Sequence, residues 1–357
     1  MKSIFFCFFL IVSLNFQSQS YYKGIELKSK YGFLIAHRQI MNHIPKEHTQ
    51  ALELNYFLQT KNDKNWHTAY KNPVIGASFI FTTSGNKEIL GNYFGLFSFL
   101  EYPFLKTKKS KIVTRIGCGI GYAPKIYDIH TNPKNNAVSS HINALVNFGV
   151  FYNYFFRNSQ ISFGFDLTHF SNGAVKTPNL GVNLPYVSIG FGKYLSKTDD
   201  YKVNEKLSKP LYIKKPWNFS IIGIFSEKDA YPTGMKRNPV FALNFSTQKI
   251  FRLGVGYEVA LDLIYKPATK YYKPVIYKPN ETYFQMGLFN AYVLTLDKLQ
   301  ILIGMGIYIK DDYFPENRVY HRVGLRYKVK NKLILNMCLK SHWAKADYVE
   351  YGFGYTF

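Results

Sequence analysis

From about residue 21 onward, apolar and polar positions alternate with a period of two along almost the whole chain. Residues 251–265 carry the pattern most clearly. Phe251, Leu253, Val255, Tyr257, Val259, Leu261, Leu263 and Tyr265 alternate with Arg252, Gly254, Gly256, Glu258, Ala260, Asp262 and Ile264. Such a segment predicts a strand with one apolar face and one face of charge and glycine. A soluble sandwich shares this alternation but turns its apolar face into a core. Two features favour the membrane. Many segments exceed ten residues, as a tilted bilayer-crossing strand requires, and the connectors alternate between short and long. Short turns fall near Lys106–Ser110, Arg157–Gln160, Asp297–Lys298 and Lys330–Lys332; longer loops fall near 127–139, 172–185, 226–238, 266–281 and 310–317. Membrane barrels have short turns on one side and long loops on the other. The pattern therefore predicts an all-β, antiparallel transmembrane β-barrel of about sixteen strands.

The N-terminus fits export. Lys2 precedes an apolar stretch from Ile4 to Leu14, and Ser18-Gln19-Ser20 supplies small residues for cleavage, so residues 1–20 read as a signal peptide. The stretch is too short for a spanning helix, and Cys7 lacks a lipoprotein context. At the other end, Tyr351, Phe353, Tyr355 and Phe357 alternate with Glu350, Gly352, Gly354 and Thr356. This resembles the signal read by the outer-membrane barrel assembly machinery. A Lys-rich stretch near 197–215 interrupts the pattern at mid-chain and is expected to be periplasmic if the preceding strand count is even.

Composition sharpens this picture. Phe, Tyr and Trp make up 18% of the chain, yet mean hydropathy is only −0.16, because each lipid-facing residue is averaged with a polar or small neighbour. The net charge of +23 suits attraction to an anionic lipid and equally fits a general lysine bias; nucleic acid is not an expected partner of an exported barrel. Cys118 falls on the lipid-facing set of its strand and Cys338 on the opposite set, so no disulfide is expected. No phosphate-binding glycine loop, zinc spacing or coiled-coil repeat occurs, and no cofactor or metal is expected.

One segment carries candidate chemistry. Ile161, Phe163, Phe165 and Leu167 form a lipid-facing set, and Ser162, Gly164, Asp166 and Thr168 a lumen-facing set. By the same parity His169 and Ser171 fall on the lipid side. Residues two apart on a strand lie about 6.5–7 Å apart with parallel side chains, so an imidazole nitrogen reaches the serine hydroxyl, the minimal nucleophile-and-base arrangement. As the seventh strand it runs outward. The residues from Ile161 to Leu167 cover roughly 20 Å of an apolar band about 25 Å tall, which puts the pair near the outer-leaflet interface. The plainer reading is polar residues tolerated at a strand end.

His169-Phe170-Ser171-Asn172, followed by Gly173, Lys176, Pro178, Asn179, Gly181 and Asn183, resembles the lipid A 3-O-deacylase (PagL-type) barrels. The text from Asn132-Pro133-Lys134-Asn135-Asn136 through Ser139-Ser140-His141 resembles related exported proteins of Bacteroidetes-type bacteria labelled acyloxyacyl hydrolases. The resemblance covers about residues 23–196, and only its His-x-Ser-Asn region is specific. It implies an eight-stranded outer-membrane barrel that removes an ester-linked acyl chain from lipid A, with Ser171 as nucleophile and His169 as general base on the barrel exterior. The family places an acid past the serine, where this chain has Asn183. An Asn orients a neutral imidazole but cannot stabilise the imidazolium by charge. Asn172 and the Gly173 backbone N–H are candidate oxyanion donors, although Asn-Gly equally suits a turn.

Because the resembling barrels end near residue 196, the remaining strands either join one large barrel or form a second small one. A single terminal signal and the absence of open edges in lipid favour one barrel, with 21–196 as the deacylase-like half, 197–216 a periplasmic connector and 217–357 the remaining strands. The expected function is thus an outer-membrane lipid A deacylase acting on lipopolysaccharide as a serine esterase; acyl transfer would differ only in the acceptor. The alternative is a porin-like channel or structural barrel, for which lumen-facing Arg115, Arg252, Glu258 and Asp262 would line a pore. Weaker candidates are His43 and His48 in a polar loop, and Lys266, Lys270, Lys273 and Lys278 interleaved with Tyr271, Tyr272 and Tyr277 as a phosphate grip. Trp66, Trp217 and Trp343 are expected in the interfacial girdles.

Overall fold

The computed structural model describes residues 21–195, 216–229, 237–252, 254–271, 283–311, 317–330, 332–343 and 345–357. The expected signal peptide, most of the connector and the loop carrying Lys273, Tyr272, Tyr277 and Lys278 lie outside these residues.

Among the described residues sixteen antiparallel strands form, as the alternation predicts, but they close twice. The first barrel contains β1 (Tyr21–Gly32), β2 (Thr49–Thr60), β3 (Val74–Thr83), β4 (Asn92–Lys106), β5 (Ser110–Tyr122), β6 (Ile142–Phe156), β7 (Ser159–Ser171) and β8 (Val182–Tyr194). The second contains β9 (Asn218–Lys228), β10 (Asn238–Arg252), β11 (Val255–Tyr265), β12 (Phe284–Leu296), β13 (Leu299–Lys310), β14 (Val319–Val329), β15 (Leu333–His342) and β16 (Lys345–Thr356). The preference for a single sixteen-stranded barrel is therefore corrected to its alternative, two eight-stranded units. The reason is a non-local pairing. β8 bonds back to β1, from Gly24 opposite Tyr194 to Gly32 opposite Tyr186, and β16 bonds back to β9. Each sheet thus consumes its own edges.

The parity of side chains follows the sequence pattern. Leu27, Leu54, Phe79, Phe148, Phe165 and Ile189 are exposed on the first barrel, and Phe219, Phe241, Leu243, Ile307, Val323 and Phe353 on the second. In water such surfaces would be aggregation-prone; in a bilayer they are the matched face.

The interiors hold the charge. Arg115 donates to Glu53 at 2.6 Å and to Glu101 at 2.7 Å, and Lys30 donates to Asp166 at 2.9 Å. In the second barrel Arg322 bridges Asp262 and Glu350, at 3.1 and 2.6 Å, and Arg326 pairs with Glu258. Eight strands enclose just enough width for side chains to fill, and the cavity beside Arg115, Glu101 and Lys111 measures only about 10 Å³. Arg115, Glu258 and Asp262 thus plug the barrels instead of lining a pore; the Arg252 side chain is outside the described residues. Free Cys118 is exposed and free Cys338 is buried, on different barrels.

The expected strand over 251–265 is divided. β10 ends at Arg252, β11 begins at Val255, and Gly254 turns the chain at φ +79°, a conformation glycine adopts without cost. The two barrels also touch. At the end where the chain enters, the Tyr70 hydroxyl donates to the Gly254 carbonyl. At the loop end, Thr177 donates through its backbone N–H and hydroxyl to Asp229, at 3.0 and 2.9 Å. Trp66 and Trp217 lie at the first end and Trp343 at the loop end.

Candidate active site

β7 delivers His169 and Ser171 to the loop end on the parity of the exposed Phe163 and Phe165. Phe170, between them, points inward, is fully buried and packs edge-on against Tyr93 at 5.0 Å. That inward anchor fixes its two neighbours outward, because successive side chains on a strand take opposite faces. The His169 Nε2 lies 2.9 Å from Ser171 Oγ.

The third member comes from the neighbouring strand. β8 pairs with β7 so that Asn183 stands directly opposite His169, and Asn183 Oδ1 lies 2.6 Å from His169 Nδ1. An amide oxygen only accepts, so the Nδ1 carries the proton and the Nε2 is left as the acceptor for the Ser171 hydroxyl. Parity and register together therefore assemble Ser171, His169 and Asn183 on the exterior wall.

Two further residues shape this arrangement. Beyond Gly32 the chain keeps following β8: Ile35 N–H donates to the Asn183 carbonyl at 3.0 Å. This extension carries exposed His37 to the site, where Asn183 Nδ2 lies 2.9 Å from His37 Nδ1. The second is Gly181, at φ +84°, where a Cβ would stand 2.6 Å from His169 Cε1. The imidazole occupies the space of the missing side chain. Sequence reasoning gave neither residue a role; His37 lies in a segment without periodicity, and Gly181 was visible only as part of the motif.

Asn172, expected as an oxyanion donor, has other partners for its donors. Its backbone N–H donates to Asn179 Oδ1 at 3.0 Å, and its amide donates to Ser139 Oγ and the Lys176 carbonyl at 3.2 and 2.8 Å. Its donors are consumed in holding the 172–181 loop. Asn172 also opens a turn closed by Val175 N–H to its carbonyl at 3.3 Å, with Gly173 and Ala174 both at positive φ. Gly173 meets the second barrel: a Cβ there would stand 2.6 Å from Val349 Cγ2.

Below the pair, the outer wall is dented by a groove of about 780 Å³ lined by Tyr31, Phe33, Phe148, Phe165, Leu167 and Val187, among others. Leu167 is two residues from His169, and Pro185, also in the lining, is two from Asn183. The groove is apolar and outward-facing.

The other candidates disperse. Asp166 points into the lumen and binds Lys30 and Asn147. His43 bonds the Lys134 carbonyl at 2.8 Å, while His48 stacks on Tyr31. Lys266 is buried against Asp347 at 2.8 Å, so it is part of the lumen network and not of a solvent-facing grip.

Residues 50–192 match the family model described as lipid A 3-O-deacylase (PagL), and residues 217–357 match the one described as acyloxyacyl hydrolase, C-terminal domain. No curated protein matches the chain. Among solved structures, Neisserial surface protein A is 7% identical, with a TM-score of 0.35 over 48% of this chain and 97% of that one. The outer membrane protein Omp33 of Acinetobacter baumannii is 9% identical, with a TM-score of 0.18 over 96% of this chain and 99% of that one.

Proposed function

The chain belongs to the lipid A 3-O-deacylase (PagL) and acyloxyacyl hydrolase family and is an outer-membrane ester hydrolase; from that premise we propose that it is a serine esterase that removes an ester-linked acyl chain from lipid A in the outer leaflet. The observation that carries this reading is the relay of 2.9 Å from Ser171 Oγ to His169 Nε2 and 2.6 Å from His169 Nδ1 to Asn183 Oδ1, set on the lipid-facing wall.

Ser171 Oγ attacks the ester carbonyl carbon while its proton passes to His169 Nε2. Asn183 Oδ1 accepts the hydrogen bond from Nδ1–H throughout, which holds the ring in its reactive tautomer. The tetrahedral intermediate collapses, the bond to the sugar oxygen breaks, and that oxygen leaves with the proton from His169. A water then attacks the acyl-Ser171 ester with His169 again as base, releasing a fatty acid and restoring the serine. Because the donors of Asn172 are already occupied, the Gly173 backbone N–H is the assigned oxyanion donor. An Asn in place of an acid supplies orientation without a compensating charge. On this reading the apolar groove below the pair takes the scissile acyl chain, and its volume falls within the range of about 300–1,000 Å³ usual for ligand sites. The long loops beside the pair support an outer-leaflet site, since outer-membrane barrels turn such loops outward.

Replacing Ser171 with Ala tests the assignment. Mass spectrometry of lipid A from cells carrying the S171A protein should show the missing acyl chain restored, with heat-modifiable electrophoretic mobility showing an intact barrel. A lipid A profile identical to that of cells with the unaltered protein would refute it.

A further inference from the structure

Asn183 is an ambiguous partner for a catalytic histidine. Its carboxamide has an accepting end and a donating end of nearly the same shape. With the oxygen toward His169, Nδ1 carries the proton and Nε2 accepts from Ser171. With the amide reversed, the NH₂ faces Nδ1, the proton moves to Nε2, and His169 becomes a donor to Ser171 that cannot take its proton. An aspartate has no such wrong orientation, because both its oxygens accept.

The structure contains the element that removes the ambiguity. Among the described residues, the Asn183 side chain bonds two rings, His169 at 2.6 Å and His37 at 2.9 Å. The His37 contact uses Nδ1, and the bond from Asn183 Nδ2 requires that nitrogen to be a lone pair. Reversal would set the amide oxygen against that lone pair, and is matched only if the His37 ring moves its own proton from Nε2 to Nδ1 at the same time. His37 itself is placed by the continuation of β1 along β8, through the Ile35 to Asn183 backbone bond of 3.0 Å.

We propose that His37 is a positioning residue: its Nδ1 lone pair fixes the Asn183 amide and thereby selects the His169 tautomer able to accept the Ser171 proton. The His37–Asn183 pair together does the orienting work of one carboxylate. This rests on the reading of Ser171 as nucleophile and His169 as its base.

The test uses the purified full-length protein in phospholipid–lipid A vesicles, with acyl release as the readout. Replacing His37 with Ala should lower kcat about twofold with little change in KM, because without the lone pair the two amide orientations become about equally populated. His37→Asn, whose Oδ1 takes the place of Nδ1, should recover most of the rate. With Asn183→Asp as background, removing the His37 ring should leave kcat unchanged, since the carboxylate needs no orienting partner. The imidazole ¹⁵N shifts of His169 give a reading independent of turnover: protonated Nδ1 in the unaltered protein, and a rise in protonated Nε2 in H37A. An H37A protein with full kcat and an unchanged tautomer overturns the proposal, as does an H37N protein no better than H37A. An equal loss in the N183D background overturns it too. Should S171A itself retain activity, the underlying esterase assignment fails instead, and the tautomer measurement still decides the His37 contact.

Discussion

Gly181→Ala probes the catalytic geometry without touching a chemical group. The Cβ would stand 2.6 Å from His169 Cε1 and 3.4 Å from Nε2. Carbon atoms rest at about 3.5–4.0 Å, so the ring must retreat by about 1 Å. The backbone resists moving instead, because the Gly181 N–H is bonded to the Ala137 carbonyl at 2.8 Å. At φ +84° an alanine adds roughly 1–2 kcal/mol of strain, small against a closed barrel. A misplacement of 1 Å can cost about 10²-fold in rate, or about 2.7 kcal/mol of barrier. The expected protein is folded by heat-modifiable mobility and about a hundredfold slower in acyl release. A folded G181A protein turning over at the unaltered rate would mean that the imidazole at this position is not the base.

Two other perturbations separate the site from its support. Val187→Trp places a large ring in the groove beside Phe165, its partner across β7 and β8; release of long acyl chains should fall while hydrolysis of a short-chain ester persists, as parallel assays would show. Arg115→Met leaves Glu53 and Glu101 buried without their shared cation; breaking such a buried pair costs about 3–5 kcal/mol, so the temperature at which the barrel loses its compact electrophoretic form should drop.

What the amino-acid pattern revealed, and what it hid, follows from locality. Parity is local, and it placed Phe165 outward, Asp166 inward and the His169–Ser171 pair on the lipid side. Closure is not local. Whether β8 bonds β1 or β9 depends on residues as far apart as Gly32 and Tyr186, and alternation is identical in both cases. The division of 251–265 was hidden because a two-residue turn preserves parity: Phe251 and Val255 stay on the outward set across it. Lys266 looked like loop charge because its recruitment by Asp347 on β16 depends on barrel closure. His37 was invisible for the same reason, being joined to Asn183 only once the first and eighth strands meet.

The outward placement of the proposed nucleophile has a consequence for supply. On the proposed assignment a lipid substrate would reach it by sliding sideways within its own layer, and the released chain would depart the same way. The second cylinder, abutting Gly173 through Val349 and tethering Thr177 through Asp229, takes up part of the first barrel's perimeter and leaves a narrower arc through which traffic can pass.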